Sequence, residues 1–441
     1  MGDLLFWHRL QFGFTATFHY IFPQLTMGLA LIIVALKTLG MVRGEERFNT
    51  AARFWIRIFG ISFAVGVVTG IPLEFQFGTN WARFSTHAGG VIGQTLGMEG
   101  MFAFFLESTF LGLLVYGEHK LSKRAHYVAA LALFAGSWMS GYFIVATNAF
   151  MQHPVGYLTA ADGSLQLGNF WTFLLNPWAL VEYLHTMMGA AVTGAFAVTA
   201  VAAFWTLRRL HPDQAALKLK VGVCVGLVAS LLVAFPTGDL QGKRVARHQM
   251  PTLAAMEGRW HGGPYAELNV IGQPNVEAHT LDNPVRLPGV LSFIAYGSFS
   301  SNVKGLEEFP ADQRPTNLEF LYYGFHIMVG LGTLFIALMG LSVLLLVTGK
   351  LSATRPLLWA LMLAFPFPFI ANSAGWVVAE FGRQPWLVYG LLRTVDGTSH
   401  LVHPGQTVFT SLGFAGLYFV LGLLFLFLVG REVEHGPVDH A

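Results

Sequence analysis

The chain has 441 residues, of which 54% are hydrophobic and only 11% charged, with a formal net charge of +2. A soluble domain carries about twice that charged fraction, and a near-neutral apolar chain has no basic footprint for nucleic acid. Its single cysteine, Cys224, excludes both a disulfide framework and a cysteine metal centre.

Nine apolar stretches predict transmembrane helices near residues 14–40, 54–74, 93–116, 127–147, 179–206, 219–236, 319–347, 356–380 and 409–430. Each is close to the ~20 residues that cross about 30 Å of hydrocarbon. Asp3, His8 and Arg9 precede the first apolar run, which is too long for the core of a signal peptide, so no cleaved leader is expected. The predicted fold is all-α and polytopic. Three regions follow: 1–236 with six helices, a long segment 237–318 with a Pro/Gly-rich middle, and 319–441 with three helices and a tail.

Short loops set the expected orientation. One alternating set carries Lys37, Arg43, Arg47 and Arg53, then Lys120, Lys123 and Arg124, then Arg208, Arg209, Lys218 and Lys220, then Lys350 and Arg355. The positive-inside rule places this set in the cytoplasm, with the N-terminus outside, the C-terminus inside and segment 237–318 external.

The candidate chemistry appears in chain order. His19 lies in the first span, Glu99, Glu107 and Ser108 in the third, His185 in the fifth, and His326 and Met328 in the seventh. Glu380 ends the eighth, with Arg383 a helical turn on and Trp376 a turn before. Ionisable groups inside a bilayer are expensive and are retained for a function. A lone membrane histidine also serves as a hydrogen-bonded packing residue, but the span directions put His19, His185, Met328 and Glu380 at one depth. Imidazole with thioether closes a six-coordinate electron-transfer haem, whereas a single ligand leaves iron open to O2. His185 with Met328 suits the first case; His19 and Glu380 suit the second. On a regular helix Glu99 and Glu107 are about 12 Å apart and differ by roughly 80° in direction. That spacing suits stations of a proton path, with a static structural pair as the alternative.

The run Gly375-Trp376-Val377-Val378-Ala379-Glu380-Phe381-Gly382-Arg383-Gln384-Pro385-Trp386 resembles the signature of subunit I of the cytochrome bd quinol oxidases. Further matches are Arg9-Leu10-Gln11-Phe12 with His19-Tyr20, the run from Glu74 to Trp81, Phe104 to Thr109, His185-Thr186 and Ile327-Met328-Val329-Gly330. This resemblance implies a low-spin haem b on His185 and Met328. It implies a high-spin haem b and a haem d served by His19 and Glu380, with the pairing left open. Trp376 would lie between haems, interfacial anchoring being its other reading, and Arg9 and Arg383 would belong to the haem surroundings. Nothing in the residues dictates haem d over a third haem b.

Gly238-Asp239, Gln249 and Leu253-Ala254-Ala255-Met256-Glu257-Gly258 resemble the family's quinol-binding loop, in a short version. Two departures stand out. Position 326 is His326 where well-known members have arginine, which would let it bond a haem propionate or compete with Met328. Position 252 is Thr252 where many relatives have lysine, with Lys243 or Arg247 as candidate substitutes, and tighter quinol binding in Thr252→Lys would support a site geometry shared with the lysine-bearing relatives. The implied activity is oxidation of quinol with reduction of O2 to water, in the bacterial cytoplasmic membrane, alongside a subunit II and a small single-span subunit. An oxidase with only b-type haems and a haem-free ion transporter are the alternatives.

Overall fold

A computed structural model of the chain describes residues 2–118 and 120–437. Among the described residues nine helices are long and apolar enough to span a bilayer. They are α1 (Leu4–Arg43), α2 (Glu46–Thr79), α3 (Ala82–Tyr116), α4 (Lys123–Gln152), α5 (Phe170–Arg208), α6 (Pro212–His248), α7 (Leu318–Val347), α8 (Arg355–Gly382) and α9 (Pro404–His435). All nine expected spans are present, each longer than its apolar run. Polar start signals carry the helices past the hydrocarbon: Ser122 accepts from Ala125 N–H ahead of α4, and Asn176 accepts from Trp178 N–H where α5 resumes at Pro177.

The start of the long segment is helical: α6 continues past its apolar run to His248, so residues 237–248 extend that helix. The segment proper holds a short helix, Met250–Met256, and an antiparallel hairpin pairing Leu268–Asn275 with Thr280–Leu287. Two stretches widen to π-helix, Met101–Glu107 in α3 and Val233–Gly238 in α6. Such widened turns are rare and occur frequently at functional sites.

The bundle is built on α5. In its most apolar stretch 83% of residues are buried, against 6% for α9, so α5 is the hub and α9 faces lipid or another chain. Close approach needs small residues. Gly28 of α1 lies so near Ala190 and Gly194 of α5 that an added Cβ would come within 2.1 Å of the Ala190 carbonyl oxygen. At one end of the bundle Arg53 pairs with Glu46 (2.9 Å) and Glu118 (2.8 Å), and Arg57 pairs with Glu432 (2.9 Å). These are the ends carrying the Lys/Arg-rich loops; the long segment and the GRQPW turn lie at the other.

Candidate functional site

An apolar cavity of about 480 Å³ is lined by α1, α2, α3, α4, α5 and α8. His19, Glu99, Glu107, Trp376, Glu380 and Arg383 all line it. Arg9 lines it too, its guanidinium 5.5 Å from the centre of the Phe381 ring.

His19 presents a free ring nitrogen. The Thr69 hydroxyl donates its one proton to the Val65 carbonyl (2.9 Å), so it can only accept from His19 Nδ1 (3.2 Å). That fixes the N–H on Nδ1 and leaves the Nε2 lone pair available, the arrangement metal-binding histidines show. His185 repeats the device outside the cavity. Pro236 has no N–H for the Leu232 carbonyl, and the Thr237 hydroxyl donates to that oxygen instead (2.9 Å). Thr237 then accepts from His185 Nδ1 (3.3 Å). The π-turn of α6 therefore orients His185, and it also packs against α7, which carries Met328. Met328 lies over Gly375 of α8, where a Cβ would meet its sulfur at 2.8 Å.

Glu380 is held at both oxygens. Asn148 Nδ2 donates to Oε1 (2.7 Å), and Arg383 donates to Oε2. Arg383 is only 1% exposed, yet its Nε and Nη1 have no protein partner. A buried guanidinium with two unused donors facing an apolar cavity fits an acidic group inside it, such as a haem propionate. Trp376 meets Tyr20 edge-on, with ring centroids 6.0 Å apart.

The third helix departs from the expected geometry. The π-turn ends at Glu107, so Glu99 and Glu107 are not related by a regular α-helical offset, and both open on the cavity. Ser140 donates to Glu99 (3.5 Å), while Glu107 is 4% exposed and its Oε1 has no partner. Ser108, expected beside them, does not line the cavity. It is exposed, and its hydroxyl bonds back to the Phe104 carbonyl within α3.

His326 is engaged elsewhere as well. Its Nδ1 faces the Tyr322 carbonyl (2.8 Å), its Nε2 faces the Asn269 carbonyl (2.7 Å), and the ring stacks on Tyr322. With both nitrogens against the backbone, the geometry favours Met328 as the ligand and gives His326 a role in anchoring the hairpin. Asn269 in turn binds Glu257: its side chain donates to the Glu257 carbonyl (2.6 Å) and its backbone N–H to Glu257 Oε2 (3.3 Å). Glu257 is 1% exposed, and burial pushes its carboxyl up to about 8 against the opposing pull of Asn269 and Arg259. Lys243 is committed to Asp239 at 2.6 Å on α6, and no ion pair joins it to Glu257 among the described residues. Thr252 is buried and donates to the Gly382 carbonyl (2.7 Å).

A profile of the cytochrome bd terminal oxidase subunit I family matches residues 7–437. The chain belongs to that family. The cytochrome bd ubiquinol oxidase subunit 1 of Bacillus subtilis is 36% identical over 439 residues, covering 97% of this chain and 93% of the relative. The cytochrome bd-II ubiquinol oxidase subunit 1 of Escherichia coli is 30% identical over 503 residues, covering 99% and 98%. The solved bd oxidase from Geobacillus thermodenitrificans superposes with a TM-score of 0.91 at 28% identity, covering 99% of each chain. As a cytochrome bd subunit I, the chain is a multi-pass protein of the bacterial cytoplasmic membrane, and a haem-free transporter is not favoured.

Several polar residues around this cytochrome bd site escaped the sequence reading. Asn148, Gln152 and Glu182 are isolated polar residues in apolar spans, the signal that marks function in a membrane. Glu182 is buried on α5 with its Oε2 unpartnered.

Proposed function

We propose that this chain is the haem-bearing, quinol-oxidising subunit of a terminal oxidase that oxidises two quinols and reduces one O2 to two waters. The observation that carries this reading is the donor set. Two histidines have Nε2 freed by a threonine, and an anchored glutamate shares an apolar cavity with one of them. His185 and Met328 hold a low-spin haem b. His19 and Glu380 serve a high-spin haem b and a haem d, with a third haem b as the alternative that pyridine haemochrome analysis distinguishes. When bound, the haems supply the electron path and the iron at which O2 is reduced.

The protein's own groups handle the protons. Glu257 accepts a proton from a quinol hydroxyl, for which a base must lie within hydrogen-bond reach. Arg383 and Arg9 balance acidic groups in the cavity. Glu107 and Glu99 pass protons from the Lys/Arg-rich end, which the positive-inside rule assigns to the cytoplasm. Quinol protons leave at the opposite face, beside segment 249–317, so charge separates without a pump. Subunit II covers the exposed apolar helices, and a small single-span subunit completes the complex.

The test is spectroscopic. Met328→Leu conserves volume but removes the thioether, and the low-spin signal and quinol-driven turnover are expected to disappear. Glu380→Gln is expected to lose one high-spin haem while the subunit still assembles. Full haem content and oxidase activity in Glu380→Gln would overturn the assignment, as would a low-spin signal that survives Met328→Leu but not His326→Ala.

A further inference from the structure

Three carboxamides run in a line from the quinol segment to Glu380. Gln249 Nε2 donates to Gln152 Oε1 (2.9 Å) and to the Gln152 carbonyl (2.9 Å). Gln152 Nε2 donates to Asn148 Oδ1 (3.4 Å) and to the Ala379 carbonyl (3.1 Å), and Asn148 Nδ2 donates to Glu380 Oε1 (2.7 Å). Gln152 and Gln249 are buried, 1% and 2% exposed.

The direction of this chain follows from chemistry. A carboxylate only accepts, so Asn148 must turn its NH2 to Glu380 and its oxygen to Gln152. Gln152 must then offer its NH2 to that oxygen and its own oxygen to Gln249. Each amide therefore points its donor toward Glu380, and bonds aligned in this way polarise and strengthen one another. At the far end Thr252 ties the start of the Met250–Met256 helix to Gly382, two residues past Glu380, while the helix itself leads into Glu257.

We propose that Gln249 and Gln152 are positioning residues for Glu380, making the quinol segment one wall of the high-spin haem site. This rests on Glu380 being a haem ligand. The amide chain fixes which lone pair of Oε1 is spent on Asn148 and how strongly, and thereby the electron density the carboxylate offers to iron. Thr252 belongs to the same strap.

Redox titration of the complete oxidase, followed by visible absorption, tests the proposal. Gln249→Met keeps length and removes the amide. All haems are expected to be retained. At a fixed applied potential, the oxidised-to-reduced ratio of the haem lost in Glu380→Gln is expected to change by about three- to ten-fold, the scale of one net hydrogen bond. The low-spin haem is expected to titrate as before. Gln249→Glu keeps the shape but presents only acceptors to Gln152, which must turn over and carry Asn148 with it. It is expected to perturb the same haem at least as much, whereas a space-filling role would be indifferent. Gln152→Met breaks the middle link and gives the same reading should Gln249 variants fail to assemble. An unchanged ratio in Gln249→Met or Gln152→Met, with Glu380→Gln still losing its haem, would overturn the positioning role. Retention of every haem in Glu380→Gln would instead overturn the ligand assignment on which it rests.

Discussion

Glu257, the proposed proton acceptor, is governed by its burial. Its carboxyl is pushed up to about 8 because it is enclosed, with Asn269 and Arg259 opposing the shift. A raised value means that the group is mostly protonated at neutral pH, and only the ionised fraction can accept a proton from quinol. The kcat/KM for quinol is therefore expected to rise with pH by up to about ten-fold per unit and to level off above about 8. Glu257→Gln is expected to lose this limb along with most quinol oxidation, while dithionite still reduces every haem. A wild-type profile flat between about pH 6 and 9 would remove Glu257 as the base. Thr252 is the companion case. Tighter quinol binding in Thr252→Lys would mark a geometry shared with lysine-bearing relatives, but Thr252 is 2% exposed and its Cγ2 lies 2.3 Å from where a Cβ on Gly382 would be. A lysine has no room there, and an unpaired buried cation is costly. Thr252→Lys is now expected to lower the melting temperature of the complex without lowering the KM for quinol. An unchanged melting temperature with a lower KM would reverse that conclusion.

At the scale of elements, legibility tracks how local the cause is. Nine spans were readable because a long apolar run has few other destinations, and His19 and Glu380, read as neighbours from the order of the spans, line one cavity. The continuation of α6 through Lys243 to His248 was not readable, because hydropathy ends where the helix leaves the hydrocarbon while its hydrogen bonds continue. The two π-turns were hidden for a different reason: periodicity over one turn cannot reveal a single inserted residue. Pro236 was a visible clue in α6, since a missing N–H must be compensated, and Thr237 beside it supplies the compensation. No comparable mark stands in Met101–Glu107, so the angle assigned between Glu99 and Glu107 was that of an ideal helix. Ser108 was drawn into the site by adjacency to Glu107, although neighbouring residues on a helix face different directions. His326 was placed by the arginine it replaces. One partner, Tyr322, lies a turn before it on α7, but the other, Asn269, is supplied by a hairpin more than fifty residues earlier folding back onto α7.

At the scale of the molecule, the two chemistries occupy different positions along α3 and the bundle axis. The quinol segment, Glu380 and the amide strap lie toward one end, and Glu107 lies closer to the Lys/Arg-rich end, with Glu99 between it and the long segment. A buried carboxyl with an unpartnered oxygen, opening on the cavity, is costly unless it trades protons. Glu107→Gln preserves shape and hydrogen bonding but cannot give up or take a proton. Electrons from quinol are still expected to reduce the haems in a single turnover. Steady-state O2 consumption and the membrane potential generated in proteoliposomes are expected to fall together by about ten-fold or more, within the range of general acid–base groups. Glu107→Asp is expected to retain part of both, because the carboxyl survives on a shorter arm. The coupling between the two readouts is what the architecture demands. If protons reached O2 from the quinol side, losing Glu107 would leave turnover intact and there would be no potential to lose. Unchanged turnover and unchanged potential in Glu107→Gln would take this residue off the path and leave Glu99 supplied through another chain of the complex.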